Sequence, residues 1–348
     1  MKRFNSRNYL YIALGGVGVI LLLTVYFLFC SLLKGGETQY VYIDEDDTQD
    51  SVFAKIDPIA NNAGMSALKT MARHTDYGES IHTGRYAINP GESVITVFRK
   101  LRSGQQSSMR LTIPEVRTMD RLAAFLGHKL MIDSAAVADV LLSEEGCQHY
   151  GYDTATIASL FVPNTYEVYW NTSVENFMER MQKEHDHFWS GERQEKAARK
   201  QLTPEEVCTL ASIVDEETAN NAEKPMIAGM YINRLNLRTG EYSKGMPLQA
   251  DPTIKFAWKK FELRRIYNSL LSIDSPYNTY RYAGLPPGPI RIPTVAGIDA
   301  VLDYTHHNYL YMCAKEDFSG THNFAATYSE HLQNAAKYAR ALNERGVK

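Results

Sequence analysis

Three consecutive acidic residues, Asp215, Glu216 and Glu217, stand at the end of a predicted helix that begins at Thr203. This helix starts with Thr-Pro-Glu-Glu, in which the threonine can cap a free N–H, the proline fits the first helical position and the second glutamate completes a capping box. At about 100° per residue, Glu217 falls within the apolar sector of the helix, Glu216 on the opposite side and Asp215 at the sector's edge. We therefore expect one carboxyl group of the three to face the core.

A carboxyl group in apolar surroundings could act as a general acid. Desolvation disfavours its charged form, so its pKa rises. A raised pKa is what proton donation near neutral pH requires. The alternative is that Glu217 only ends the helix and reaches solvent, and the helix alone does not decide between the two.

Composition excludes several other kinds of site. The chain has 348 residues, enough for two modest domains or one large one, and a net charge of −3. After the first residues no Lys/Arg run is longer than a pair, so we expect no nucleic-acid partner. Its four cysteines form no CxxC pair and are not joined by histidines at zinc-ligand spacing. We expect neither a metal ion nor a cofactor.

The segment Tyr9–Leu33 contains no charged residue and is long enough to cross a hydrocarbon core of about 30 Å as a helix. Three basic residues precede this segment, Lys2, Arg3 and Arg7. One basic residue, Lys34, and then the acidic Glu37 follow it. The positive-inside rule then predicts a cytoplasmic N-terminus. A cleaved signal peptide is the alternative, but the apolar run is long for one and no A-x-A site follows. We expect a retained single-pass anchor.

The pattern of short strands and helices after the anchor predicts an α+β fold. We expect a cytoplasmic tip and transmembrane helix over residues 1–34, a small LysM-like α+β module over 37–113, a helical connecting region over 114–200 and a mixed α/β catalytic domain over 201–348. The LysM-like assignment rests on the strand, Pro-Gly turn and helix around residues 84–102. Such a module would contact glycan or act as a spacer above the membrane.

Further candidate site residues follow the acidic helix. Arg234 lies on the apolar face of a predicted helix over residues 222–235, where an arginine usually pairs with a carboxylate. The Gly- and Pro-rich segment Gly284–Ile290 fixes backbone shape and can leave N–H and C=O groups free to meet a ligand.

Five blocks of sequence, in this order, resemble the YceG-like endolytic murein transglycosylases. The blocks are Ala211–Thr218, Ile232–Leu235, Leu248–Thr253, Tyr277–Tyr280 with Gly284–Ile290, and the closing positions His322, Phe324, Glu330 and His331. The family's Pro-Asp-Thr-Tyr is here Pro163–Tyr166 with an asparagine, and its Glu-Gly is Ala158-Ser159. These departures weaken an acidic role near residues 158–164. The family's Glu-x-Glu-Thr begins here with Asp215, which leaves Glu217 at the position of the catalytic acid.

The resemblance implies an enzyme, a lytic transglycosylase of peptidoglycan. Such enzymes cut the β-1,4 bond between N-acetylmuramic acid and N-acetylglucosamine inside nascent glycan strands, without water, and leave a 1,6-anhydromuramyl end that terminates elongation. One acid, here Glu217, performs both proton transfers. The resemblance also implies an inner-membrane protein with a periplasmic catalytic domain, and peptidoglycan synthases as partners.

The roles of the remaining candidates stay open. Asp251 is either a second carboxylate, which would suit a hydrolase, or the N-cap of the helix that it begins. The other predicted substrate-binding residues would contact the substrate or hold their own loops: Gln249, Tyr277, Asn278, Tyr280 and His322. Besides a transglycosylase, a two-carboxylate muramidase-type hydrolase and a membrane-tethered glycan-binding scaffold remain possible functions.

Overall fold

The computed structural model describes residues 6–345, without the side chains of residues 6–9 and 23. Lys2 and Arg3, on which the predicted orientation of the N-terminus rests, lie outside the described residues, as does the side chain of Arg7. The chain forms two compact units. Unit 1 comprises residues 1–111, 129–131 and 167–172, and unit 2 comprises residues 112–128, 132–166 and 173–348.

Unit 1 contains four helices and the strand pair β1–β2, with part of a second pair. In chain order these elements are α1 (Ser6–Phe29), β1 (Gln39–Ile43), α2 (Gln49–Ile56), α3 (Asn62–Arg73), β2 (Gly84–Ile88), α4 (Val94–Ser103) and β3 (Met109–Thr112). Strands β1 and β2 are antiparallel, with Gln39 opposite Ile88 and Ile43 opposite Gly84. Alternate residues of β2 are buried because the pair covers the helices with one face. The module is thus α+β, and its LysM-like character stays a prediction.

Helix α1 leads into the core of unit 1 without a linker. Its residues Leu10–Phe29 are long and apolar enough to cross a membrane, by length and composition. A few residues later, Leu32 and Leu33 are 0% and 5% exposed in the core of unit 1. The Asn61 amide donates to the Ser31 carbonyl at 2.7 Å and to the Leu32 carbonyl at 3.2 Å. The chain therefore enters a packed core directly after the apolar helix.

Unit 2 is mainly helical and carries the acidic helix. After β3 the elements are α5 (Met119–Lys129), α6 (Ser134–Leu142), α7 (Glu144–His149), β4 (Thr165–Val168), α8 (Val174–Trp189), α9 (Glu192–Arg199), α10 (Pro204–Glu217), α11 (Lys224–Asn236), α12 (Asp251–Ala257), α13 (Val295–Leu302), β5 (Tyr311–Ala314), β6 (His322–Ala325) and α14 (Tyr328–Glu344). Strand β3 pairs with β4, and β5 runs antiparallel to β6. The predicted α+β class is confirmed.

Helix α10 is the centre of unit 2. Every residue from Val207 to Asp215 is buried, and α10 packs against α11, α12 and α13. A helix buried on all sides has no solvent face, so angular position alone does not separate core from surface here. The Gly- and Pro-rich segment also packs on this helix, since the Ile290 N–H donates to the Ser212 hydroxyl at 3.0 Å.

Candidate active site

Helix α10 begins as its sequence predicts. The Thr203 side chain accepts from the Glu206 N–H at 3.2 Å, and the Glu206 carboxylate accepts from the Thr203 N–H at 2.9 Å. This reciprocal cap fixes the start of the helix. The helix then ends at Glu217, where the Thr218 N–H still donates to the Val214 carbonyl. All three acidic residues therefore lie in its last turn.

Asp215 is a structural anchor within unit 2. Its side chain is 1% exposed and forms an ion pair with the Lys224 ammonium group at 2.7 Å. It also accepts from the Thr294 N–H at 2.6 Å and the Thr294 hydroxyl at 2.9 Å. Gly297 allows this approach, because a Cβ there would lie 2.6 Å from the carboxylate. Asp215 therefore ties α10 to the starts of α11 and α13.

Glu216 does not face solvent, so the prediction of an outward side chain was wrong. Only 11% of its side chain is exposed. Arg117 donates to both of its carboxylate oxygens, at 2.9 and 2.8 Å, and Arg291 donates to one of them at 3.2 Å. The side of α10 opposite the apolar sector is covered by these arginines, which the periodicity of the helix did not reveal.

Glu217 has a different kind of partner. The Tyr231 hydroxyl donates to its Oε1 at 2.7 Å. Within residues 6–345, no Lys, Arg or His nitrogen lies within ion-pair distance of its carboxyl group. Burial raises the pKa of Glu217, and the negative charge of Asp251 raises it further, against the Tyr231 hydrogen bond and the nearby charges of His322 and Arg234. Glu217 is the acidic residue of this turn that lacks an ion pair.

Helix α11 supplies the tyrosine and a buried arginine. Burial raises the pKa of Tyr231 well above its ordinary value, so its hydroxyl remains a hydrogen-bond donor. Arg234, one turn later, is 7% exposed. Its guanidinium donates to the Leu310 carbonyl at 2.6 Å and to the Leu248 carbonyl. The carboxylate partner expected for Arg234 is thus replaced by backbone carbonyls of two segments that border the site.

Asp251 lies close enough to influence Glu217, and it is not an N-cap. The N-cap of α12 is Ala250, and Asp251 is the first helical residue. The Asp251 carboxylate instead accepts from the Tyr280 hydroxyl at 2.5 Å. Burial and this hydrogen bond raise the pKa of Tyr280. The structure therefore brings the predicted residues Glu217, Asp251 and Tyr280 together.

Gln249 adopts an unusual backbone conformation two residues before Asp251. Its φ of 50° lies in the left-handed region, which costs a residue other than glycine about 1–3 kcal/mol. Its N–H donates to the Thr279 carbonyl at 3.0 Å, which holds the loop, while the side chain is exposed. Within residues 6–345 its side-chain amide has no hydrogen-bond partner.

His322 is oriented by Glu223, a residue that sequence reasoning missed. The Glu223 carboxylate accepts from the His322 N–H at 2.7 Å and lies 3.0 Å from Nδ1 of its ring. Glu223 is 8% exposed. The two residues are 99 positions apart, so no local pattern could have paired them. The Nδ1 atom of His322 thus bonds a side-chain carboxylate from another segment rather than a group of its own loop.

Asn278 and Tyr277 lie in other surroundings. Asn278 is 0% exposed, and its amide donates at 2.8 Å to the carbonyls of Leu271 and Ile273. Its side-chain oxygen accepts from the Tyr280 N–H at 3.1 Å, so the side chain holds the loop. Tyr277 packs on Phe256 with 4.7 Å between ring centroids and lines a cavity that does not include Glu217.

The raised pKa of Glu217 favours its protonated form, and the Tyr231 hydroxyl favours the carboxylate, so the pair could donate and recover one proton. The charges of Asp251 and His322 also act on Glu217, and each of these two residues has a polar partner, Tyr280 and Glu223.

Comparison with known proteins agrees with the resemblance noted in the sequence. The profile of the YceG-like family matches residues 41–337. An endolytic murein transglycosylase from Bacillus subtilis is 30% identical over 278 residues, which are 75% of this chain and 74% of the relative. An endolytic murein transglycosylase from Streptococcus pneumoniae is 26% identical over 305 residues, 78% of this chain and 53% of the relative. This chain therefore spans about half the length of the pneumococcal protein.

The fold is also shared with a solved structure. A crystal structure of a yceG-like protein from Listeria monocytogenes matches with a TM-score of 0.54 and 24% identity, covering 86% of this chain and 99% of that chain. Since the family profile covers most of the sequence and agrees with this likeness, the chain belongs to the YceG-like family.

Proposed function

We propose that this protein is an endolytic murein transglycosylase in which Glu217 is the only catalytic acid. The chain is a lytic transglycosylase, the class of enzyme that the names of its relatives state. Its substrate is the glycan strand of peptidoglycan, cut at the bond between N-acetylmuramic acid and N-acetylglucosamine. The product is a 1,6-anhydromuramyl end, which terminates elongation of a nascent strand.

One observation carries the proposal: the three acidic residues at the end of α10 have three different kinds of partner. Asp215 is paired with Lys224, and Glu216 with two arginines. Glu217 is bonded by a neutral hydroxyl, and burial raises its pKa. A carboxyl group that stays protonated near neutral pH can donate its proton to a leaving oxygen.

The proposed reaction needs a single acid. Glu217 donates its proton to the glycosidic oxygen as the bond from that oxygen to the anomeric carbon breaks. The resulting carboxylate, stabilised by the Tyr231 hydroxyl, then takes the proton of the sugar's own 6-hydroxyl while that oxygen bonds to the anomeric carbon. No water is consumed, and Glu217 ends the cycle protonated.

The other groups around Glu217 bind and position the strand in this proposal. Gln249 offers an exposed amide next to the site, and the Asp251–Tyr280 pair offers a hydrogen-bonded carboxylate. Tyr231 acts on the charge of Glu217. His322, held by Glu223, contributes a nearby ring that favours the carboxylate form.

A hydrolase remains the second candidate, because Asp251 lies close enough to raise the pKa of Glu217. Two carboxyl groups about a substrate are what hydrolytic glycosidases use. Product masses separate the two reactions, since hydrolysis adds water and leaves reducing ends. Intact strands would instead indicate a glycan-binding scaffold.

Helix α1 anchors the enzyme in the inner membrane in this proposal, with the N-terminus in the cytoplasm and the residues that follow α1 in the periplasm. The α+β module of unit 1 is proposed as LysM-like and holds the enzyme near its strands or near a peptidoglycan synthase. A reporter fused after Lys348 should be active only outside the cytoplasm, and activity inside would contradict this orientation.

The test is a digest of purified peptidoglycan followed by mass spectrometry. Wild-type protein should release anhydro ends, and Glu217→Gln should lower the rate by about 10²–10⁴-fold, the usual contribution of general acid–base catalysis. Glu205→Gln makes the same chemical change in the first turn of α10 and should keep wild-type activity. An active Glu217→Gln, or reducing ends that vanish in Asp251→Asn, would overturn the proposal.

A further inference from the structure

Unit 2 contains a cavity of about 480 Å³ that the reaction described above does not use. One wall is aromatic: Phe256 lies 4.7 Å from Tyr277 and 6.3 Å from Phe261 between ring centroids. The volume is in the range of small-ligand sites. The lining also includes four charged side chains: Arg117, Asp120, Arg121 and Lys259.

Arg121 and Lys259, two of the three cations in this lining, are exposed, and Asp120 is the acidic group that lies near Lys259. Arg117 is bonded to Glu216. Within residues 6–345, neither Arg121 nor Lys259 forms an ion pair. The Lys259 ammonium group lies 3.6 Å from the centre of the Phe256 ring, which favours a cation there. The backbone φ of Lys259 is 54°, in the left-handed region. A residue other than glycine keeps this backbone conformation only where the surrounding structure holds it.

Three structural connections link the cavity lining to residues near Glu217. Helix α12 begins with Asp251 and ends at Ala257, a length of about 10 Å at 1.5 Å per residue, and Lys259 follows two residues later. Tyr277 lines the cavity, while Tyr280, three residues later, bonds Asp251. Arg117 lines the cavity and holds Glu216, the neighbour of Glu217. The cavity therefore lies one short helix away from Asp251 and shares Arg117 with Glu216.

We propose that this cavity binds a carboxylate of the peptide that peptidoglycan strands carry on their muramyl residues. The proposal rests on the proposed function. Arg121 and Lys259 would pair with the carboxylate, the aromatic wall would cover the apolar part of the peptide, and Asp120 would accept from an amino group. A neutral sugar would leave both cations without a partner, which is why a peptide fits better.

Kinetics on two kinds of strand test this assignment. Strands whose peptides keep their free carboxylates and the same strands with those carboxylates converted to amides are digested separately, and KM and kcat are measured on each. Arg121→Gln and Lys259→Gln should each raise KM about tenfold on the free-carboxylate strands, the loss of one charge-assisted hydrogen bond. Neither should change KM or kcat on the amidated strands.

Lys260→Gln is the matched control. Lys260 is adjacent to Lys259 and is likewise exposed, but it does not line the cavity, and its ammonium group lies 5.3 Å from the centre of the Trp258 ring. It should match wild type on both substrates. Equal effects of Lys259→Gln on both kinds of strand, or no effect on either, would overturn the proposal.

A binding measurement separates this proposal from the function on which it rests. The probes are a synthetic N-acetylmuramyl peptide with free carboxylates and its fully amidated form, titrated into the full chain and followed by NMR. The free form should bind at least tenfold more tightly, and Lys259→Gln should remove that difference. If wild-type protein cuts neither kind of strand but shows this preference, the proposed function fails and the cavity assignment stands. If it cuts strands but binds both peptides equally, the cavity assignment fails.

Discussion

Removal of residues 30–36 together with the apolar helix should destabilise unit 1 much more than removal of the apolar helix alone. A chain that begins at Cys30 keeps Leu32 and Leu33, whose side chains are 0% and 5% exposed in the core. A chain that begins at Glu37 lacks both leucines and leaves the Asn61 amide without the carbonyls that it bonds. We therefore expect a chain that begins at Glu37 to fold less stably in unit 1 than a chain that begins at Cys30.

The magnitude follows from the buried leucines. Burial of one leucine side chain is worth about 1.5–3 kcal/mol, so the pair contributes about 3–6 kcal/mol. Folded domains are stable by only about 5–15 kcal/mol in total. The shorter chain should therefore lose a large part of the stability of unit 1, and its β1 and β2 amides should exchange with solvent about 10²–10⁴-fold faster.

Hydrogen–deuterium exchange read at β1 and β2 is the suitable measurement, since it reports on unit 1 separately from unit 2. In the chain that begins at Cys30, Leu32→Ala should lower the free energy of unfolding of unit 1 by about 2–5 kcal/mol. Its exchange rates should lie between those of the two truncated chains. Equal exchange of β1 and β2 in the chains that begin at Cys30 and Glu37 would refute the inference that the junction is part of the core.

Three further changes test the surroundings of Glu217. Tyr231→Phe removes the hydroxyl that lowers the pKa of Glu217, so the alkaline limb of the pH profile of kcat/KM should move to higher pH. Glu216→Gln weakens the pair with Arg117 and should lower the free energy of unfolding by about 1–3 kcal/mol in urea titrations, with kcat falling less than tenfold. Glu217→Gln, unlike Glu216→Gln, should gain stability relative to wild type at higher pH. Burial raises the pKa of Glu217 in the folded state, so the contribution of Glu217 to the free energy of unfolding is full below its unfolded pKa and is lost as pH rises through its folded pKa. The glutamine variant escapes this loss, so its stability relative to wild type should increase with pH across that window, by about 1.36 kcal/mol per unit of pKa difference. A pH-independent difference would contradict the raised pKa.

Local chemistry made the helix boundaries predictable. The cap at Thr203 and the strand Gly84–Ile88 depend on residues within a few positions of each other, and both occur as the sequence predicts. Short-range rules of this kind need no knowledge of the fold. The α+β class followed from them, as did the long apolar helix near the N-terminus.

The partners of the polar site residues depend on tertiary packing, which helical periodicity does not predict. The angular position of Glu216 suggested solvent, but Arg117 and Arg291 come from segments 99 and 75 positions away. Glu223 and His322 are also far apart in the sequence, so neither residue's local sequence predicted the contact between them. Asp251 followed a common cap pattern, yet its hydrogen-bond partner is Tyr280. Each of these contacts depends on the tertiary fold.

The identity of the partner, more than the direction of the side chain, distinguishes the three acidic residues. All three side chains are at least partly withdrawn from solvent, so desolvation alone would raise the energy of each carboxylate. Ion pairs offset that cost for Asp215 and Glu216, while Glu217 has a hydroxyl donor and, within residues 6–345, no ion pair. Burial of a carboxyl group without an ion pair favours its protonated form, and in the proposed reaction that proton passes to the leaving oxygen. The feature that singles out Glu217 within this turn is therefore the absence of the ion pair that both of its neighbours form.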